Sequence, residues 1–468
     1  MSTGGWRLAP GVVRLSQSRL AGGYPYRVIR LSPAGDAALS ALLGSCEPVV
    51  AGSAAARLGD RLVRYGLLMG PARAAVEVCD VTVVMPALAD PSSVAAALRS
   101  VPAQVPVVLV DDGCPVPLSE MLEGRQGLVH VRHPTPRGPA AARNAGARLA
   151  RTRWIAFLDT DVRPSPGWLG LLLAHAQGDG VVAVAPRVCS APSAGVAGLV
   201  ESYAGALDMG EVAAEVVVGG RVSYVPSAAL LVDRGAFERI GGFDPSLAVG
   251  EDVDLIWRLG AVGRVRYEPG VTVLHVPRTD LGAVMRRRYL YGTSAALLDE
   301  RHPGVLRHAD VSVWSVLPWV VGILVRPWVG VLAAVGVAVA APWRVRMVPA
   351  REAVRLVARL EVASQLRLGR WLLRPLLPLS AAGVLVVPRW RRCLGFGVAV
   401  GCLDIVRRSA SEQRTLRGTA RGALAHLLDD LAYSAGVWQG CLTRRRFGPL
   451  GTRVRRPERA GSARQAVE

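Results

Sequence analysis

The chain contains no lysine: all 56 of its Lys and Arg positions are arginine. With the abundant alanine, glycine and valine, this points to a GC-rich coding sequence rather than to a binding strategy. Cysteine is scarce and odd in number. The seven (Cys46, Cys79, Cys114, Cys189, Cys393, Cys402, Cys441) are scattered, with no Cys-x-x-Cys pair. That excludes a zinc-ribbon site or a disulfide framework and fits a reducing compartment. The N-terminus has no apolar core behind a basic start, so no secretory signal is expected and catalysis should face the cytoplasm. No clean apolar run reaches the roughly 20 residues of a spanning helix.

What is present fits a chain of two or three domains: 468 residues, 51% hydrophobic, mean hydropathy +0.31. The net charge of +20 is unevenly placed. Residues 341–468 carry 24 arginines against eight acidic residues, so the tail holds most of the basicity. No nucleic-acid partner is expected from that distribution.

Residues 1–75 read as a small separate unit. Tyr26–Leu31 alternates as a strand. Ser32-Pro33 starts a helix, with Ser as N-cap and Pro in the first turn, and Gly44 ends it. A short helix near Ala54–Leu58 and an element at Leu62–Leu68 follow, then a linker at Gly70-Pro71. This order fits a winged-helix-like module or a plain extension packed on the next domain.

Residues 76–300 alternate strands and helices. Strands are expected at Val81–Met85 (ended by Pro86), Val107–Val110, Val129–Val131, Trp154–Leu158 and Val181–Ala185. Helices are expected at Ser92–Ser100, Pro139–Ala150 and Trp168–Ala176. The rhythm predicts a parallel sheet covered by helices, with ligands beyond the carboxyl ends of the strands. Residues 301–450 read as a helical, apolar and basic region. Val311–Val325, Val329–Ala341 and Leu394–Val406 are apolar, with arginines on their flanks that suit anionic headgroups. Membrane association at the cytoplasmic face is therefore expected, ahead of a soluble helical cap in which these runs are buried core helices. Residues 451–468 are expected to be disordered.

Three acidic clusters carry the chemistry. Asp111-Asp112 closes one strand, Asp159-Thr160-Asp161 closes another, and Gly250-Glu251-Asp252-Val253-Asp254 opens an amphipathic helix over Val253–Leu259. Asp159 and Asp161, two apart in extended chain, share a face. They suit a hard divalent cation that neutralises a leaving diphosphate. Asp111 is placed to accept hydrogen bonds from a base or ribose, or to cap the following turn; Asp112 fits a structural role better. Arg137 and Arg143 offer forks for a diphosphate or a base carbonyl, Arg137 being better placed. Glu251 or Asp252, at a helix N-terminus, stays ionised and could act as general base. His275, after the strand Val271–Leu274, could complete the metal site.

In order, Val-Thr-Val-Val-Met-Pro (81–86), Val-Asp-Asp-Gly (110–113), Ala-Arg-Asn-Ala-Gly (142–146), Phe-Leu-Asp-Thr-Asp (157–161), Gly-Gly-Phe-Asp (241–244), Gly-Glu-Asp-Val-Asp-Leu (250–255) and His275 resemble a family 2 glycosyltransferase over roughly residues 79–290. The resemblance implies an α/β GT-A fold, a nucleotide-sugar donor, Mg²⁺ or Mn²⁺, and an inverting single displacement. It places Pro86 and Asp111 on the nucleotide, Arg137 beside the base, Asp159 on ribose, Asp161 and His275 on the metal, and Asp252 as the base. At the front, Leu8-Ala9-Pro10-Gly11, Val28–Gly35 and Ala37-Ala38-Leu39 resemble the actinobacterial mycofactocin glycosyltransferases. That likeness implies pre-mycofactocin or its glycosylated forms as acceptor, UDP-glucose as donor, a β-linked glucose oligomer as product, and a front module that recognises a precursor peptide or pathway partner. The Gln-x-x-Arg-Trp signature of processive synthases is absent; Arg287-Arg288-Tyr289 stands near the corresponding region. The rival readings are a membrane-bound transferase building an envelope glycan or lipid-linked sugar, and a noncatalytic nucleotide-binding scaffold.

Overall fold

The computed structural model describes residues 5–455, apart from 17, 24–26, 45–49, 51, 72, 117, 119–124, 307–308, 341–342, 344–349, 387–389 and 412–414. Its contacts divide it into two compact units, residues 1–193 with 205–277, and residues 194–204 with 278–468. The front segment therefore shares a unit with the sheet domain. The second unit begins at 278 and takes in a helix from within the first.

The front segment runs β1 (Arg7–Leu8), β2 (Val13–Ser16), β3 (Arg19–Gly22), β4 (Arg27–Arg30), α1 (Pro33–Gly44), α2 (Ala54–Arg64) and β5 (Leu68–Met69). β2, β3 and β4 form an antiparallel sheet and β1 pairs with β5. The Ser32 hydroxyl accepts the Gly35 N–H, as its N-cap position requires. The second helix is longer than its sequence pattern implied. Ser53 caps it by accepting the Ala56 N–H, and Leu62 lies within it and is buried beside Leu39 and Leu42. Tyr26 lies outside the described residues.

The sheet domain runs β6 (Val81–Ala87), α3 (Pro91–Arg99), β7 (Val107–Asp111), β8 (Leu128–Arg132), α4 (Pro139–Ala147), β9 (Trp154–Leu158), β10 (Val162–Pro164), α5 (Trp168–Ala176) and β11 (Val181–Ser190). After α6 (Gly195–Tyr203), which belongs to the second unit, come β12 (Ala214–Glu215), β13 (Ala229–Asp233), α7 (Arg234–Arg239), α8 (Glu251–Val262) and β14 (Arg264–His275). The strand order is β10-β14-β11-β13-β9-β6-β7-β8, with β12 paired to β14.

The sheet is mixed, not parallel as expected. β6, β7, β8 and β9 run parallel, but β13 lies antiparallel between β9 and β11, and β10 lies antiparallel to β14. The expectation missed β13, a short Ala-Leu-Leu-Val run buried on both faces whose direction no periodicity encodes. Pro86 does not end β6 either. Pairing with β9 stops at Val84 while pairing with β7 continues to Ala87. Pro86 therefore lies where one side of the strand is already unladdered, and its missing N–H breaks no bond on that side. Apolar side chains cover both sheet faces, Val83, Leu109 and Leu158 on one and Val84, Val110 and Phe157 on the other.

The second unit joins α6 to α9 (Leu281–Arg301), β15 (Ala309–Ser312), α10 (Val313–Leu324), α11 (Pro327–Val339), α12 (Ala350–Leu373), α13 (Leu377–Val386), α14 (Trp390–Ser411), α15 (Leu416–Arg444) and β16 (Thr452–Arg455). α9 and α15 approach through glycines. A Cβ on Gly292 would lie 2.2 Å from the Tyr433 carbonyl oxygen, and one on Gly436 would lie 1.9 Å from that of Tyr289. Charges add to the bundle: buried Arg288 faces Glu201 at 3.4 Å and Asp429 at 3.0 Å, and partly exposed Arg374 faces Asp429 and Asp430, each at 3.1 Å. Arg288 is thus committed to the interior of this bundle. Residues 452–455, expected to be disordered, pair in parallel with β15; the rest of the tail lies outside the described residues.

The placement at the cytoplasmic face of a membrane is overturned. Among the described residues no helix is long and apolar enough to cross one. α10 and α11 are apolar but have only 12 and 13 residues. α12 has 24 residues but carries Arg351, Arg355, Arg359, Arg367 and Arg370.

Candidate active site

Strand ends and one helix start supply the site. β9 ends at Leu158, so Asp159 and Asp161 fall just past its carboxyl end. The pairing of β10 with β14 puts Val162 opposite His275, and the Val276 N–H donates to the Asp161 carbonyl at 2.8 Å. This register brings Asp161 Oδ2 to 3.3 Å from His275 Nε2, the carboxylate 47% exposed and the imidazole 11%. His275 is the last residue of its strand, not the first beyond it.

α8 begins two residues earlier than expected, at Glu251. Gly250, at φ +85°, makes the left-handed turn into the helix and offers no side-chain cap. Three acids, Glu251, Asp252 and Asp254, occupy the first turn, where the free N–H groups and the dipole favour negative charge. Asp254 pairs with Arg258, whose guanidinium also donates to the carbonyls of Ile240 and Gly242, each at 2.8 Å. The loop before the helix is thereby fastened to it.

Arg143 joins these parts. It sits on α4, which approaches the sheet closely: a Cβ on Gly146 would come within 2.4 Å of Val84 Cγ1. From there Arg143 Nη2 donates to both oxygens of Asp159, at 2.7 and 3.0 Å, and Nη1 donates to Glu251 Oε1 at 3.1 Å. The guanidinium is buried and lies over the Phe243 ring, 5.3 Å from its centroid. Phe157, Phe237 and Phe243, three of the chain's five phenylalanines, pack against one another there. Burial works against the charge of Arg143, but Asp159 and Glu251 outweigh it and its pKa stands above the usual arginine value. Asp159 is pushed up by burial, with Asp161 and Glu251 adding to the effect and Arg143 opposing it. Asp252 is pushed up to about 7, first by burial and next by the Glu251 charge, while Arg143 opposes. A carboxyl at that value is poised to exchange a proton near neutrality.

At the first acidic cluster, Asp111-Asp112, both carboxylates are engaged within the protein. Asp111 is fully buried, accepts the Cys114 N–H at 2.7 Å and pairs with Arg132. Burial raises its pKa, but the Cys114 and Arg132 contacts prevail and hold it below the usual value. Asp112 accepts the N–H of Arg137 at 3.0 Å and of Gly138 at 2.8 Å, and faces His133 Nδ1 at 2.6 Å. It fixes the turn into α4, leaving the Arg137 side chain exposed. Pro86 lies opposite Val110 on the ladder, beside this turn.

The structure thus links Glu251, Asp159 and Arg143 directly, sets Asp252 next to Glu251, and pairs Asp161 with His275. Sequence reasoning ranked Arg143 below Arg137 and missed its joining role; its signal was the Ala-Arg-Asn-Ala-Gly run, with an arginine one turn inside a helix too apolar to waste it. Among the described residues no group of three or more His, Cys, Asp and Glu gathers for a metal. Asp161 and His275 supply one carboxylate oxygen and one imidazole nitrogen side by side. That donor set fits a cation that takes its remaining ligands from phosphate and water.

The glycosyl transferase family 2 profile matches residues 82–240. Pre-mycofactocin glycosyltransferases from two strains of Mycobacterium tuberculosis are each 34% identical over 452 residues, covering 94% of this chain and 95% of theirs. The succinoglycan biosynthesis protein ExoO of Rhizobium meliloti is 27% identical over 236 residues, 47% of this chain and 67% of its own. Among solved structures, a mannosyltransferase from Pyrobaculum calidifontis in complex with GDP-Man and Mn²⁺ aligns over 69% of this chain and 84% of its own, at 16% identity and a TM-score of 0.38. From the full-length likeness and the family profile together, the chain belongs to the mycofactocin glycosyltransferases of glycosyl transferase family 2.

Proposed function

We propose that this glycosyltransferase moves glucose from UDP-glucose to pre-mycofactocin or its already glycosylated forms, with inversion, adding β-linked sugars in succession. The observation that carries the reading is the junction of the two carboxylate sites. Glu251, beside the Asp252 base, and Asp159, past the end of β9, are held by one guanidinium. The acceptor follows from the full-length relatives, whose names specify pre-mycofactocin.

In this mechanism Asp252 accepts the proton of an acceptor hydroxyl as its oxygen forms a bond to the anomeric carbon. The bond from that carbon to the diphosphate oxygen breaks on the opposite face, so the configuration inverts. A general base placed in this way contributes on the order of 10²–10⁴ in rate. Asp159 orients the donor on the ribose side. Pro86, Asp111 and Arg137 line the nucleotide side, where Asp111 sets the backbone more than it offers free oxygens. Asp161 and His275 would hold Mg²⁺ or Mn²⁺, which supplies charge neutralisation to the leaving diphosphate.

The test is transfer from UDP-glucose to pre-mycofactocin, followed by mass spectrometry of the acceptor. Successive hexose additions by the wild type, and none by Asp252→Asn, are expected. Transfer only to a polyprenyl phosphate or a polysaccharide primer would move the protein to envelope glycan synthesis. UDP binding with no transfer to any acceptor would leave a scaffold.

A further inference from the structure

Arg143 has no assigned part in the proposed chemistry, yet it is the group through which the donor and base carboxylates meet. Its three donations go to side chains far apart in sequence. Nη2 takes both Asp159 oxygens, past the end of β9, and Nη1 takes Glu251, at the start of α8. A planar fork can serve both carboxylates at fixed angles, whereas an ammonium is a single point of charge on a flexible stem. The guanidinium itself is enclosed, while Asp159 keeps a quarter of its side chain exposed. Arg143 is 5% exposed at its side chain and lies on the Phe243 ring. Breaking one member of such a buried pair leaves the other charge uncompensated, so the three groups stand or fall together.

Asp252 is the neighbour that responds to this arrangement. The groups facing it are Glu251, whose negative charge disfavours its ionisation, Arg143, whose positive charge favours it, and its own and the Val253 backbone N–H, which favour it too. With the Arg143 cation bound to Glu251, part of the Glu251 repulsion is cancelled. Without it, two adjacent carboxylates at one helix start face each other unrelieved.

We propose that Arg143 is a positioning residue for sugar transfer: by holding Asp159 and Glu251 in one fork it fixes the donor-side carboxylate and sets the protonation of the Asp252 base from the same cation. The proposal rests on Asp252 being that base. It predicts a specific change in the pH dependence of turnover that mere loss of packing does not produce.

The experiment measures kcat and KM for UDP-glucose against pH, in full-length wild type, Arg143→Gln, Arg143→Lys and Glu251→Gln, with circular dichroism to check folding. In Arg143→Gln, kcat should fall about 10²-fold, and the pH at which kcat rises should move upward by about one unit. In Glu251→Gln the same limb should move downward, because the repelling charge is gone. In Arg143→Lys the limb should stay near its wild-type position while kcat falls about tenfold, because the charge remains and the fork does not. Two results overturn the proposal: a folded Arg143→Gln whose pH limb coincides with that of the wild type, or Arg143→Lys with wild-type kcat. If Arg143→Gln does not fold, the Lys and Glu251 variants decide. Failure of the base assignment is separable, since Asp252→Asn would then keep both rate and pH limb whatever Arg143 does.

Discussion

Asn144 and Phe243 exchange two hydrogen bonds across 99 residues of chain. The Asn144 amide nitrogen donates to the Phe243 carbonyl at 2.7 Å, and its oxygen accepts the Phe243 N–H at 2.9 Å. One side chain thus satisfies both backbone groups of a loop residue, as a strand partner would. Replacing Asn144 by Ala leaves both groups unsatisfied, and a loss of about 1–3 kcal/mol is expected. Urea denaturation of the variant checks this; an unchanged midpoint would show that the clamp contributes nothing. Gly242→Ala should be destabilised too. Its φ is +71°, and its Cβ would lie 2.6 Å from Asn144 Oδ1.

The pH dependence of turnover follows from Asp252. With its carboxyl raised to about 7, the base form fills as pH passes through neutrality, so kcat should rise there and level off above. The stability consequence has the opposite sign. A folded-state pKa above the usual aspartate value of 3.8 means that the folded protein favours the proton. The wild type should therefore lose stability relative to Asp252→Asn as pH rises from about 4 to above 7. Thermal melts of both proteins at pH 5 and pH 8 test it: the gap should widen in favour of the Asn variant at pH 8.

Chelation should abolish transfer, and Mg²⁺ or Mn²⁺ should restore it. In Asp161→Ala and His275→Ala, the metal concentration giving half-maximal rate should rise by more than about tenfold, since loss of even an outer-shell partner of a metal ligand typically costs about 10–100-fold. Titration of Mn²⁺ by electron paramagnetic resonance in the presence of UDP gives a reading that does not depend on turnover. Full activity of the wild type in chelator would remove the metal from the scheme.

The α9–α15 contact makes its own forecast. Gly436→Ala puts a methyl 1.9 Å from the Tyr289 carbonyl oxygen, so the helices must separate, at an expected cost of about 1–3 kcal/mol. Gly336→Ala is the control. Nothing lies within 4 Å of its Cβ, and alanine favours a helix over glycine by about 1 kcal/mol, so that variant should be neutral or more stable. The denaturant midpoint of Gly436→Ala should fall, while that of Gly336→Ala should hold or rise.

The elements that sequence conveyed well are those whose whole signal is local. β9 and α5 have the expected bounds because a buried run and its flanking turns define them. Asp161 and His275 were paired through the family likeness, and the β10–β14 register is what brings them together. The direction of β13 was not legible, since an apolar four-residue run packs equally well either way. Nor was the engagement of Asp111, because a carboxylate that accepts a backbone N–H and pairs with an arginine looks the same in sequence as one awaiting a ligand. The apolar C-terminal runs misled for a related reason: hydropathy counts side chains, while crossing a bilayer needs unbroken length, and the break at Arg326 divides it.

Because α6 is counted with residues 278–468, the chain passes from one unit to the other three times, after 193, after 204 and after 277. In α6, Ala197 and Val200 are buried against Val284 of α9 and Ala425 of α15. A gene cut at codon 278 would therefore not release a self-sufficient catalytic half. It would leave a nine-residue helix stripped of its apolar cover in the middle of the retained piece. Expression trials, domain swaps and split-protein designs for this enzyme should keep the two units on one polypeptide or excise residues 194–204 as well.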